Sequence, residues 1–199
     1  MVLDSGSGWV VSADTHKEML LALYFRDLAA IEPVGQAGLS ALSPKVKPAA
    51  AQELGQESAG ELRQEWQSWW ERIISNTHPS IDIQAEPDFA EFSDSPSLQH
   101  LMLAHYGNAY TWTQRRLGEY QEFCRNTTTV RLELVHQLFD ERELEREEVG
   151  ALHLKLVELP LAEQRAWFIE PDTVIVSQDL MRDVALFRSY LEPIIAMLT

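Results

Sequence analysis

Hydrophobic positions fall on helical spacing through much of the first half of the chain. Asp14 and Thr15 can cap a helix, Glu18 stands three residues after Thr15 as a capping box requires, and Leu20, Leu21, Leu23, Tyr24, Leu28 and Ile31 supply the apolar contacts; this predicts a helix over 14–31. Ser58 with Glu61 repeats the box. Leu62, Trp66, Trp69, Trp70, Ile73 and Ile74 then recur three and four residues apart, which predicts a second helix over 58–75. Ser95 followed by Pro96 is a cap with proline in the first helical position, where its missing N–H leaves no bond unmade, and a long helix over about 96–124 follows, with Gly107 and Gly118 as places for a bend.

The connections differ in kind. Residues 32–57 hold Pro33, Gly35, Gly38, Pro44, Pro48 and Gly55 among many alanines, with few large apolar side chains, and are expected to form a flexible segment. Residues 76–97 carry Asp82, Glu86, Asp88, Glu91 and Asp94 without one lysine or arginine and are broken by Pro79, Pro87 and Pro96, an acidic extended connection.

The second half changes period. Val130, Leu132, Leu134, His136 and Leu138 alternate with Arg131, Glu133 and Gln137, which favours a strand over about 128–139, although the same residues also fit a helix ending at Gly150. The β-branched run Thr127 to Val130, and the likeness of 130–135 to the clearer strand Leu152 to Val157, tip the choice to a strand. Asp140 to Glu148, with six acids and two arginines, reads as an exposed turn of helix. Trp167, Phe168 and Ile169 meet Val174, Ile175 and Val176 across Glu170-Pro171-Asp172-Thr173 in a tight hairpin. Ser177 caps a last helix whose seam is Leu180, Val184, Phe187, Leu191, Ile194 and Leu198, bent at Pro193.

The expected class is α+β: N-terminal amphipathic helices packed on one face of a C-terminal antiparallel sheet of three to four strands, closed by a C-terminal helix. The other sheet face, with Arg131, Glu133, His153, Lys155 and Glu158, is expected to meet water.

Composition narrows the partners. With 199 residues, 45% of them hydrophobic, the chain can bury one sizeable core and is expected to fold as a single domain over 1–199. Its 31 acids against 16 basic residues give a net charge of −15, which works against nucleic acid and anionic membranes. The lone Cys124 allows no internal disulfide, the first twenty residues lack the pattern of a secretory signal, and no apolar run reaches the ~20 residues of a membrane span, so a cytoplasmic location is expected. Four lysines against twelve arginines suggest a GC-rich bacterial genome.

Chemistry is sparse. His100 and His105 are five apart on a helix and cannot grip one ion together. Glu133, His136 and Asp140 would share a helical face, but a di-iron bundle needs a second Glu-x-x-His, and as a strand the segment points Glu133 and His136 to opposite sides; no metal and no cofactor is assigned. Cys124 has Arg125 beside it, too little to mark a nucleophile. The glycines match no phosphate-binding loop. Aromatic residues are plentiful, and Trp69, Trp70, His105, Tyr106 and Tyr110 stand out as ligand- or partner-binding residues, because adjacent Trp69 and Trp70 should not both face one core and at least one is expected at the surface. The leading functional expectation is a non-enzymatic interaction or regulatory module that engages a basic or apolar protein partner, with a homodimer as a further option. The alternative is a small-molecule enzyme or ligand-binding protein with a pocket between helices and sheet, using a carboxylate or His105 as its acid-base group.

Overall fold

The computed structural model describes residues 2–4, 9–32, 38–50, 59–75, 89–143, 152–169 and 171–198. The chain divides into two compact units. A helical unit takes Lys17–Pro33 and Pro44–Arg116, and a sheet unit takes Met1–His16, Val34–Ser43 and Leu117–Thr199.

The helical unit contains α1 (Lys17–Leu28), α2 (Ala59–Ile74) and the first part of α3 (Pro96–Glu143). Helix α1 is apolar on nearly every side and is buried accordingly, from Met19 through Arg26; the Arg26 guanidinium is neutralised by Asp27 at 2.7 Å. The helix starts later than its sequence suggests because Asp14 ends a strand. It stops where Ala30 takes a left-handed conformation (φ 51°), which lets the Ile31 amide donate to the Arg26 carbonyl at 2.9 Å and the Ala30 amide to Asp27 at 3.2 Å.

Helix α2 lies where its spacing predicts, but its tryptophans are core. Trp66 Nε1 donates to the Ala22 carbonyl of α1 at 2.7 Å, and its ring stacks on Trp70 with centroids 5.7 Å apart. Trp69 meets Phe25 at 6.4 Å and Phe92 at 5.4 Å. Trp69 and Trp70 are 1% and 7% exposed, so neither reaches the surface as expected; α2 is covered over an arc wide enough to take both rings. Glu65 reaches from α2 to accept the Leu98 amide at 2.8 Å, satisfying an otherwise open donor in the first turn of α3.

The sheet unit contains β1 (Val2–Asp4), β2 (Trp9–Asp14), β3 (Leu152–Leu159), β4 (Ala166–Ile169) and β5 (Thr173–Ser177), with α4 (Val184–Leu198) after them. The α+β class and the closing helix are as expected. The five strands lie in the order β1-β2-β3-β5-β4. The β4–β5 hairpin is antiparallel, with Phe168 opposite Val174, and β1 is antiparallel to β2, but β2–β3 and β3–β5 are parallel, so the sheet is mixed rather than antiparallel throughout. One parallel pair arises because Trp9–Asp14 forms a strand beside β3, and the other because β5, not β4, is the hairpin strand next to β3.

One sheet face packs on helices. Val11, Ala13, Leu154, Leu156, Val174 and Val176 meet Leu134, Val135, Leu138 and Phe139 of α3 and Phe187, Leu191, Ile194 and Ile195 of α4. The α3 residues correct the expectation of a strand at 128–139. Buried pairs at 134/135 and 138/139 repeat every four positions, a helical stripe, and its burial outweighs the modest helix cost of the threonines. Asp183 rather than Ser177 caps α4: its Oδ1 accepts the Leu186 amide at 3.0 Å.

Part of the segment expected to be flexible is anchored. Leu39, Leu42 and Val46 are buried, the Ser43 amide donates to Pro160 O at 2.8 Å, and in the helical unit the Ala49 amide donates to Leu28 O at 2.8 Å. Residues 33–37 and 51–57, like the acidic run 76–88, lie outside the described residues. Among the described residues no helix is long and apolar enough to cross a membrane.

The exposed Glu133 gives a direct test of the helix. Glu133→Pro removes no buried group, yet is expected to cost about 3 kcal/mol or more, read by denaturant unfolding, because proline clashes inside a helix and deletes one of its hydrogen bonds. Unchanged stability would overturn the helical assignment.

Candidate functional site

The residues singled out from the sequence are placed in the helical unit. Trp69 and Trp70 belong to its core. Rings run on from Trp69 through Phe92 and Phe89 to Tyr106, 5.0 Å from Phe89, and then to Tyr110 at 6.0 Å. His105 is half-buried, with Nε2 shielded and without a hydrogen-bond partner, and Tyr110 is 37% exposed. The arrangement is chiefly packing between helices, because the largest rings are spent inside.

Of the metal candidates on α3, two meet. His136 Nδ1 and Asp140 Oδ2 lie 2.9 Å apart on the surface of α3, an ordinary pair one turn apart. Among the described residues no group of three or more His, Cys, Asp or Glu side chains could hold a metal ion.

A cleft of about 510 Å³ forms within the sheet unit where the parallel strands β2 and β3 end. Strand β2 and the residue after it supply Ala13, Asp14 and Thr15, and β3 supplies Glu158. Helix α3 supplies Leu117, Tyr120, Gln121, Cys124 and Arg125, which stand three or four residues apart and so form one stripe. Carboxyl ends of parallel strands are where side chains from separate strands converge, and binding sites in such sheets favour that end.

Glu158 is the unusual member. Along β3 it falls two positions after Leu156 and four after Leu154, so it points to the helix-covered face, and it is 3% exposed. Its expected place on the water-facing side with His153 and Lys155 was an error of parity; those two are exposed and Glu158 is not. A carboxylate in this position costs free energy unless its surroundings are polar. Tyr120 answers to it: burial, followed by the negative charge of Glu158, a hydrogen bond with Cys124 and the more distant Asp14, pushes the phenol above its ordinary range. At neutral pH Tyr120 therefore keeps its proton and can donate a hydrogen bond rather than accept a proton as a base. At the rim the Thr15 amide donates to Asp14 Oδ1 at 2.8 Å, while Thr15 Oγ1 is shielded from solvent without a hydrogen-bond partner. Arg125 is exposed.

A scan against protein-family models matches none, and searches of curated proteins and of solved structures return no match. The chemistry of the cleft is read from its own residues. Of these, Asp14 and Thr15 looked like a helix cap, Tyr120 one aromatic among several, and Cys124 with Arg125 too thin a pair. The available signal was Glu158, an acid interrupting the apolar alternation of Leu154 and Leu156.

Alkaline titration should report on this environment. Below the unfolded tyrosine value of about 10 both states are protonated and nothing is lost; above it the unfolded chain ionises while Tyr120 resists, so stability falls as pH rises. Tyr120→Phe is expected to reduce that fall, measured by urea unfolding between pH about 8 and about 11; buried Tyr24, also raised, leaves a residue of it. An identical slope in the variant would show that Tyr120 is not so placed.

Proposed function

We propose that the chain is a cytoplasmic small-molecule-binding protein whose ligand occupies the cleft between α3 and the ends of β2 and β3. The observation that supports this reading most is the convergence of a buried carboxylate, Glu158, with the proton-holding Tyr120 on a cleft of a size that small ligands fill. Ala13, Leu117 and the Tyr120 ring offer apolar contact, while Glu158, Asp14, Gln121 and Thr15 offer the few directed polar groups that fix orientation. The reading stops at binding. Tyr120 is held in the wrong protonation state for a general base, and nothing on the walls names a bond to be broken.

The test is a thermal-shift panel of neutral, cationic and anionic metabolites, since a ligand bound only by the folded chain raises its Tm. A hit is expected that disappears in Leu117→Trp, whose added volume fills the cleft from its half-exposed α3 wall. A panel without hits, or hits indifferent to that substitution, removes the reading.

A second reading, engagement of a protein partner, is favoured by Leu103 and Tyr110, which are 57% and 37% exposed and stand two turns apart on α3 beside half-buried Tyr106. A partner retained from native lysate and lost with Leu103→Asp supports it; equal retention by that variant rejects it.

A further inference from the structure

Resting on the reading of the cleft as a ligand site, we infer that its ligand is a small organic cation, an alkylammonium or guanidinium group on a short apolar stem, held by the Glu158 carboxylate. The chemistry of the walls selects this class. A carboxylate accepts hydrogen bonds, and the Glu158 carboxyl lines the cleft from the helix-covered side of the sheet. Asp14 adds a second carboxylate at the rim. The shielded Thr15 Oγ1 can accept a further N–H, and the Tyr120 ring offers an electron-rich face to a cation. Among the described residues that line the cleft, exposed Arg125 carries the positive charge and Asp14 and Glu158 carry carboxyl groups, so an anionic ligand would enter against two acids.

Other cations fit less well. A divalent metal needs several oxygen or nitrogen ligands at once, and among the described residues no group of three or more acids, histidines or cysteines is placed for one. An organic cation needs only one or two acceptors and brings its own apolar surface, which Ala13 and Leu117 can cover. The net charge of −15 raises the local concentration of any cation near the chain, a general effect that favours encounter without choosing the site.

The experiment uses the full chain and four probes that share one alkyl stem: n-butylamine, n-butylguanidine, 1-butanol and butyrate, titrated at low salt by ligand-observed NMR. The two cations are expected to bind and the alcohol and the carboxylate are not. Glu158→Gln should weaken cation binding about thirtyfold, the loss typical of a buried charge partner, and exposed Asp14→Asn should weaken it less. Asp14→Asn also guards against a Glu158 variant that fails to fold. Glu61→Gln, an exposed acid of the helical unit, should change nothing. Butyrate or 1-butanol binding as well as the amines, with loss in Leu117→Trp, overturns the cation assignment and leaves the cleft as a ligand site. Cation binding insensitive to both Glu158→Gln and Asp14→Asn overturns it as well. No binding by any of the four probes, together with an empty metabolite panel, overturns the assignment and the ligand-site reading alike.

Discussion

The parallel pairing of β2 with β3 is the constraint on which the sheet unit depends. Strands that run the same way cannot be joined by a tight turn; the chain must leave the carboxyl end of one and return to the amino end of the other. Here the return takes most of the sequence, from Thr15 after β2 to Leu152, where Trp9 pairs with Leu152 and Asp14 with Val157. Closing so long a connection costs chain entropy, which contacts between the sheet and its covering helices must offset. The final part of α3 supplies them, placing Leu134, Val135, Leu138 and Phe139 on the apolar face that Val11, Ala13, Leu154 and Leu156 create. The same pairing sets Asp14 and Glu158 at one end of the sheet.

Much of the fold was legible where a pattern was long and one-sided. Helix α2 and the C-terminal helix declared themselves through apolar spacing, because each buries one stripe, and the β4–β5 hairpin declared itself through β formers on either side of a Pro-Asp turn. The failures share a cause. Strand β2 is six residues long, and its end, Asp14-Thr15, is also a good helix cap, so local chemistry supported two structures and the strand's partner lay too far along the chain to arbitrate. At 130–138 alternating leucines fitted a period of two, yet Val135 and Phe139, which break that alternation, are both buried and belong to the helical stripe. Without β2, and with 128–139 taken as a strand, β3 had the wrong neighbours, and nothing local shows that β5 rather than β4 lies beside it and in parallel.

The site was less legible than the fold for a reason that concerns energy rather than pattern. Its residues are scattered over three elements, and none is rare. Their importance comes from what surrounds them: Glu158 is an ordinary acid in sequence and an expensive one in place. A carboxylate on the surface is solvated and contributes little, whereas one on a helix-covered face must be balanced by polar neighbours, and Tyr120 retains its proton partly because that charge is near. The tryptophans run the other way. Trp69 and Trp70 looked functional because they are conspicuous, but both bury their rings, as does Trp66, which donates its indole N–H to the Ala22 carbonyl.

This contrast bears on how an acidic chain can be selective. Among the described side chains the acids other than Glu158 are exposed or partly exposed, where salt screens charge over about 10 Å. Such charge sets which ions gather near the molecule. Glu158 differs because it is 3% exposed on the helix-covered face, where charge is screened less than at the surface. A strand that gives up one apolar position in the row facing its covering helix loses some core packing and gains a fixed acceptor. The neutral Tyr120 beside it completes the arrangement, since an ionised phenol there would add a second negative charge where one already carries a cost.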